Sequence, residues 1–174
     1  MHKIEVEDVA SAILTYPNGA TGYIYCSTTE APGTNLMELS GERGKLRVLG
    51  SQLTFWEIPS GVRGWSDSTD QMWGAPPAHE VEIELPECDS GHVAVLRNMA
   101  NHLLRGDELL TPGVEGLNSV ELIDAMILSG HLGEPVSVPV DRARYDAFLA
   151  DRVQESKPKG VDGPDRRETD HFHR

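Results

Sequence analysis

The hydrophobic pattern of this chain changes period near its middle, and that change restricts the fold more than any other feature. As far as Leu85, apolar and polar residues alternate in short runs broken by Gly, Pro, Asn and Asp, the pattern of strands joined by tight turns. From Ser90 onward the apolar residues recur every three to four positions, the pattern of amphipathic helices. Strands first and helices second predict an α+β architecture, with helices covering one side of a sheet.

Ile4 to Tyr16 is rich in β-branched residues and meets Pro17-Asn18-Gly19-Ala20. Asn-Gly there supplies the positive φ angles of a two-residue hairpin turn. The return strand, Thr21 to Thr28, sets Tyr23 and Tyr25 on one face against Ile24 and Cys26 on the other. Ala31-Pro32-Gly33 breaks the chain, Asn35 to Ser40 reads as a strand, and Gly41-Glu42-Arg43-Gly44 turns it into Lys45 to Leu49. Gln52 to Ile58 is a further strand, Ser60 to Pro77 an excursion loop carrying Trp65 and Trp73, and His79 to Leu85 alternates and closes the sheet.

In the second half Val93, Leu96, Ala100, Leu103 and Leu104 share a helical face between Ser90, a candidate N-cap, and Gly106, a candidate stop. This face is expected to cover the sheet. Thr111-Pro112 predicts the start of a second covering helix that runs from Leu117 to Leu132 and ends at Gly133. Val136 to Val140 reads as a short edge segment, and Asp141 as the cap of a third helix with Tyr145, Phe148, Leu149 and Val153 on one face. These elements give one domain over residues 1–153. Pro, Gly and charge dominate the rest, so 154–174 is expected to be a disordered tail.

A chain of 174 residues, 39% of them hydrophobic, can bury roughly 70% of its unfolded surface without a metal or disulfide. Its net charge of −13 argues against nucleic acid or an anionic membrane as partner, because both would repel it. No apolar run approaches the roughly 20 residues of a membrane span. Cys26 and Cys88 follow no signal peptide and read as reduced thiols, which fits cytoplasmic use.

Most constellations that could carry chemistry have a plainer reading. Gly41-Glu42-Arg43-Gly44-Lys45 lies between two strands and lacks the third glycine of a phosphate cradle, so it reads as a hairpin turn. There is no Gly-x-Ser-x-Gly nucleophile elbow. Asp170, His171 and His173 lie in the tail without a third spaced ligand, which leaves no predicted metal site. His102 and His131 read as structural histidines in or beside helices, and Glu80, Glu82 and Glu84 as a solvent-facing stripe. One loop differs. Ser27 to Asn35 gathers hydroxyls, a carboxylate and a carboxamide, and Ser27, Thr29, Glu30 and Asn35 are candidate contacts to a polyhydroxylated ligand, with Trp73 offering a ring face to a sugar. An ordinary polar loop is the competing reading.

Several segments, in order, resemble the C-terminal domain of the Gfo/Idh/MocA family of nicotinamide-dependent sugar and cyclitol dehydrogenases. They are I-E-V-E-D-V-A-S-A-I-L-T-Y-P-N-G-A-T-G-Y-I from Ile4, E-A-P-G-T-N from Glu30, G-E-R-G-K-L from Gly41 and G-L-N-S-V-E-L-I-D-A-M-I-L-S-G from Gly116. The resemblance implies an open, largely antiparallel sheet with helices on one face, the other face building a homo-oligomer, and a sugar or cyclitol held at the edge. The family's Rossmann fingerprint, its Glu-Lys-Pro lysine and its Asp-x-x-x-His pair have no counterpart here. Ser156, not Glu, precedes Lys157-Pro158. No catalytic residue carries over, and the chain alone is expected to bind no cofactor and to be inactive. NAD or NADP is implied for a complete enzyme, through a Rossmann-domain polypeptide. The competing function is a stand-alone, non-catalytic carbohydrate-binding or oligomerising module.

Overall fold

The computed structural model describes residues 6–85 and 91–157. In chain order it has β1 (Val9–Thr15), β2 (Thr21–Ser27), β3 (Leu36–Gly41), β4 (Gly44–Leu49), β5 (Gln52–Glu57), α1 (Val62–Ser68), β6 (His79–Val81), α2 (Gly91–Arg105), a 3₁₀ turn (Gly113–Glu115), α3 (Gly116–Leu132) and α4 (Arg142–Glu155). The α+β class and the open antiparallel pairing are as expected. The described strands form a two-stranded sheet, β1–β2, and a four-stranded sheet in the order β3–β4–β5–β6. The chain divides into two compact units. Residues 8–108 hold both sheets, α1 and α2, while the described residues of the other unit, 6–7 and 109–157, lie around α3 and α4.

The first hairpin forms where expected, but its turn differs. Tyr16 N–H donates to Ala20 O and Gly19 N–H to Tyr16 O, each at 2.9 Å. Gly19 has φ 83°, and no residue other than glycine has positive φ among the described residues. The loop is therefore Pro17-Asn18-Gly19, a type I turn closed by a left-handed glycine, rather than a two-residue Asn-Gly turn. Proline decides this, because its fixed φ suits the second position of a type I turn, and Asn18 Oδ1 then accepts from Ala20 N–H at 3.0 Å. Register pairs Ile13 with Tyr23 and Ser11 with Tyr25. The tyrosine face points outward, with Ile13 and Tyr23 both largely exposed, while Ala12, Leu14 and Ile24 on the opposite face are half-buried.

The four-stranded sheet separates its faces by the period of two. Register puts Met37, Leu39, Leu46, Val48, Leu53, Phe55 and Val81 on one face, with Glu57 and His79 at its end and Met37 and Leu39 exposed. The other face carries Glu38, Lys45, Arg47, Thr54 and Trp56. Lys45 Nζ meets Glu38 Oε1 at 2.7 Å, and the Arg47 guanidinium lies over the Trp56 ring at 4.7 Å. Arg47 Nε is buried without a hydrogen-bond partner, which costs about 1–3 kcal/mol. The cation–π contact offsets about 0.5–2 kcal/mol of it. β6 covers only His79–Val81, shorter than the alternation to Leu85 predicts, because pairing with Phe55–Glu57 supplies its ladder. The face of α2 expected to cover a sheet stands in solvent, with Leu104 81% exposed. Gly106, φ 78°, ends α2 by donating to His102 O, while Ser90 falls outside the described residues.

The helical unit has its own small core. Ala125 and Leu128 of α3 and Val140 before α4 are buried, Leu128 at 1% exposure. Burying one such leucine contributes about 1.5–3 kcal/mol. Gly133, φ 67°, ends α3 as the sequence predicts. Pro112, extended at ψ 139°, precedes the 3₁₀ turn instead of opening α3, which starts later, at Gly116. Val136 to Val140 forms no strand, since Pro135 and Pro139 bring no N–H to a ladder. Asp141 caps α4 as expected, its Oδ1 accepting from Arg144 N–H at 3.2 Å. Residues 158–174, including Asp170, His171 and His173, lie outside the described residues.

Candidate functional site

The hydroxyl-rich loop leaves β2 at Ser27 and is organised by its own side chains. Ser27 Oγ lies 3.1 Å from Thr29 Oγ1 and accepts from Thr29 N–H, also at 3.1 Å. Thr28 fastens the loop to the chain entering β1, because its N–H and its hydroxyl both donate to Asp8 O, at 2.9 and 3.2 Å. Farther along, Asn35 O accepts from Gly50 N–H at 2.9 Å, tying the start of β3 to the turn between β4 and β5.

Of the five candidate contacts, the structure joins only Ser27 and Thr29 by a side-chain hydrogen bond among the described residues. The Glu30 carboxylate and the Asn35 carboxamide are exposed. Trp73 presents 89% of its surface, whereas Trp65 of α1 is half-buried with its ring against Gly74. A Cβ at Gly74 would lie 3.1 Å from the Trp65 ring.

The segment bearing Trp73 is not the plain loop the sequence predicts, since it opens with α1. The turn Gly41–Gly44 is structural, as expected, and also anchors this helix. Glu42 Oε1 accepts from Arg63 N–H at 2.8 Å, Glu42 O accepts from Val62 N–H at 2.9 Å, and Glu42 Oε2 lies 3.7 Å from Arg63 Nε. Glu42 was not visible as a functional candidate. Its glycine-flanked position and the later Gly61, φ 70°, were the signals, but their approach is set by the register of β3 and β4.

The helical unit contains a second polar cluster. Tyr145 donates its hydroxyl hydrogen bond to Asp124, and its pKa is raised above 10.0, by burial first and then by Asp124, with Glu7 adding a repulsion. His131 Nε2 lies 3.4 Å from Glu7 Oε1, and its ring packs on Phe148 at 4.9 Å. His102 Nδ1 is 2.7 Å from Asp107 O, so both histidines have structural partners. A shallow hollow of about 280 Å³ is lined by Leu128, Pro135, Val136, Pro139 and Arg144. Ser137 and Asp141 complete its lining, and Arg144 there is committed to Glu134 at 2.6 Å. No group of three metal-ligating side chains occurs among the described residues, and no described helix is long and apolar enough to cross a membrane.

A model of the GFO/IDH/MocA C-terminal domain matches residues 1–47, which include the first hairpin, the hydroxyl loop and the Glu42 turn. Over that stretch the chain is similar to the C-terminal domain of the Gfo/Idh/MocA family. It is similar to a D-apiose dehydrogenase of Rhizobium rhizogenes, 28% identical over 145 residues, covering 78% of this chain and 39% of that protein. A second D-apiose dehydrogenase, from Paraburkholderia graminis, is 26% identical over 138 residues, covering 76% of this chain and 35% of that protein. The chain thus spans well under half the length of the curated relatives it matches. A dinucleotide does not fit the described glycine turn. That turn carries the Glu42 carboxylate, which would repel a phosphate.

Proposed function

We propose that this chain is the substrate-binding and assembly portion of an NAD(P)-dependent sugar or cyclitol oxidoreductase, with D-apiose or a related pentose as substrate. The observation that carries the reading is the similarity to two D-apiose dehydrogenases across more than three quarters of the chain. The hydroxyl pair of Ser27 and Thr29 supports it. In this reading the pair, with Glu30 and Asn35, hydrogen-bonds the sugar oxygens, and Trp73 stacks on the apolar face of its ring. The chain's own residues bind and orient. The hydride acceptor and the group that moves the proton belong to a Rossmann domain, on a longer form of this chain or on a partner.

Assembly uses the apolar face of β3–β6. Seven apolar side chains on one sheet face form a patch that a soluble protein covers with a partner, and a second copy of the chain is the proposed partner. Light scattering on the purified chain, alone and mixed with a Rossmann-bearing polypeptide of the same family, tests both parts. A discrete homo-oligomer that recruits the polypeptide and then reduces nicotinamide with D-apiose is expected. A well-folded oligomer that recruits nothing, yet binds sugar without any nicotinamide effect, would overturn the enzyme reading in favour of a non-catalytic module.

A further inference from the structure

The Trp73 side chain is exposed, yet the segment carrying it is fixed at both ends of α1. At the start, Glu42 takes up two backbone donors, Val62 N–H through its carbonyl and Arg63 N–H through its carboxylate. Gly61 makes this approach possible. Its φ of 70° is one that side chains rarely adopt, and a Cβ there would lie 2.8 Å from Glu42 Oε1. At the end, Thr69 N–H donates to Trp65 O, Thr69 Oγ1 accepts from Gln71 N–H at 3.2 Å, and the Trp65 ring closes on Gly74, beside Trp73. These contacts run from the β3–β4 turn to Gly74, the chain neighbour of Trp73. A helix of seven residues does not persist alone in water, so its order depends on such contacts.

We propose that Glu42 is a positioning residue for sugar recognition, holding α1 so that the Trp73 ring is presented to the ligand. The proposal rests on the reading that Trp73 stacks on the substrate. An exposed ring on a wandering loop would lose affinity in proportion to the time it spends out of place. Capping from the turn removes that loss, and the carboxylate does so from a strand pair whose register is fixed by six residue pairs.

The test is calorimetric titration of D-apiose into the full 174-residue chain and its variants. Glu42→Ala is expected to weaken binding by about fivefold, the size of a lost helix cap. Glu42→Gln keeps an oxygen acceptor for Arg63 N–H and is expected to retain most of the affinity. In the double variant Glu42→Ala/Trp73→Ala the loss should equal that of Trp73→Ala alone, because Glu42 acts through the ring. Hydrogen exchange at the Arg63 and Trp65 amides should quicken in Glu42→Ala and not in Glu42→Gln. Should Glu42→Ala prove poorly folded, Gly61→Ala disturbs the same joint from the other side and should lower affinity in the same way. If Trp73→Ala weakens binding and Glu42→Ala does not, or if the two losses add, the positioning role falls while the stacking reading stands. If Trp73→Ala leaves binding unchanged, or the parent chain does not bind D-apiose, both fall.

Discussion

Two glycines flank the β3–β4 turn, and the structure assigns opposite signs to their replacement by alanine. At Gly44 a Cβ would collide with the carbonyl oxygen of Trp56 and sit 2.8 Å from Phe55 Cε2. The ring can yield by a few tenths of an ångström. The carbonyl cannot, because it belongs to the ladder in which Lys45 opposes Trp56 and Gly44 opposes Glu57. Parting β4 from β5 costs about 1–3 kcal/mol, the range for overpacking. Reduced freedom of the unfolded chain returns about 0.4–1 kcal/mol, leaving Gly44→Ala destabilised by about 1–2 kcal/mol. Gly41 meets only Gly44 O, at 3.8 Å, and its φ is not positive. There the entropy gain stands alone, and Gly41→Ala should be about 0.4–1 kcal/mol more stable than the parent. Urea unfolding followed by tryptophan fluorescence reads both, since Trp56 reports on β5. A Gly44→Ala protein as stable as the parent, or two alanine variants with the same midpoint, would refute the argument that strand packing rather than backbone freedom governs this hairpin.

Leu128→Ala should destabilise the helical unit by about 2–3 kcal/mol, the low end for a buried leucine, because the adjoining hollow admits water to the space left behind; far-UV circular dichroism during urea unfolding measures it, and a loss under about 1 kcal/mol would contradict the assigned core. Tyr145 has a folded pKa above its unfolded value, so its contribution to stability is present below pH 10.0 and is lost as pH rises through the folded value. Phenolate absorbance should show one tyrosine titrating late, and Asp124→Asn should bring it back toward the others. Tyr145→Phe should abolish the late component, and its persistence would place the perturbed phenol elsewhere.

Strands and helices were legible because their periods depend on which face each residue presents, a property of local sequence. The stops at Gly106 and Gly133 and the cap at Asp141 were legible for the same reason, each acting within one turn of its own helix. What escaped the sequence depends on distant pairing. The start of α1 is fixed by Glu42, some twenty positions earlier, and a propensity reading of Ser60 to Pro77 sees only glycine, proline and serine. At Pro17 the local Asn-Gly signal is overridden by the proline before it, which sets a type I turn. For the candidate site, residue types marked the hydroxyl loop, whereas the Ser27–Thr29 contact and the full exposure of Trp73 required coordinates.

The division into two units has a consequence for synthesis. Glu7 belongs with the helices at the far end of the chain, where His131 meets its carboxylate, and the whole sheet-bearing unit is inserted between them. A ribosome therefore delivers Glu7 long before His131 exists. The sheet unit can close as soon as Glu108 has emerged, but the helical unit must wait for α3, holding its opening segment unpaired throughout. A chain halted between Glu108 and His131 would carry the complete sheet unit and a Glu7 whose partner has yet to be made.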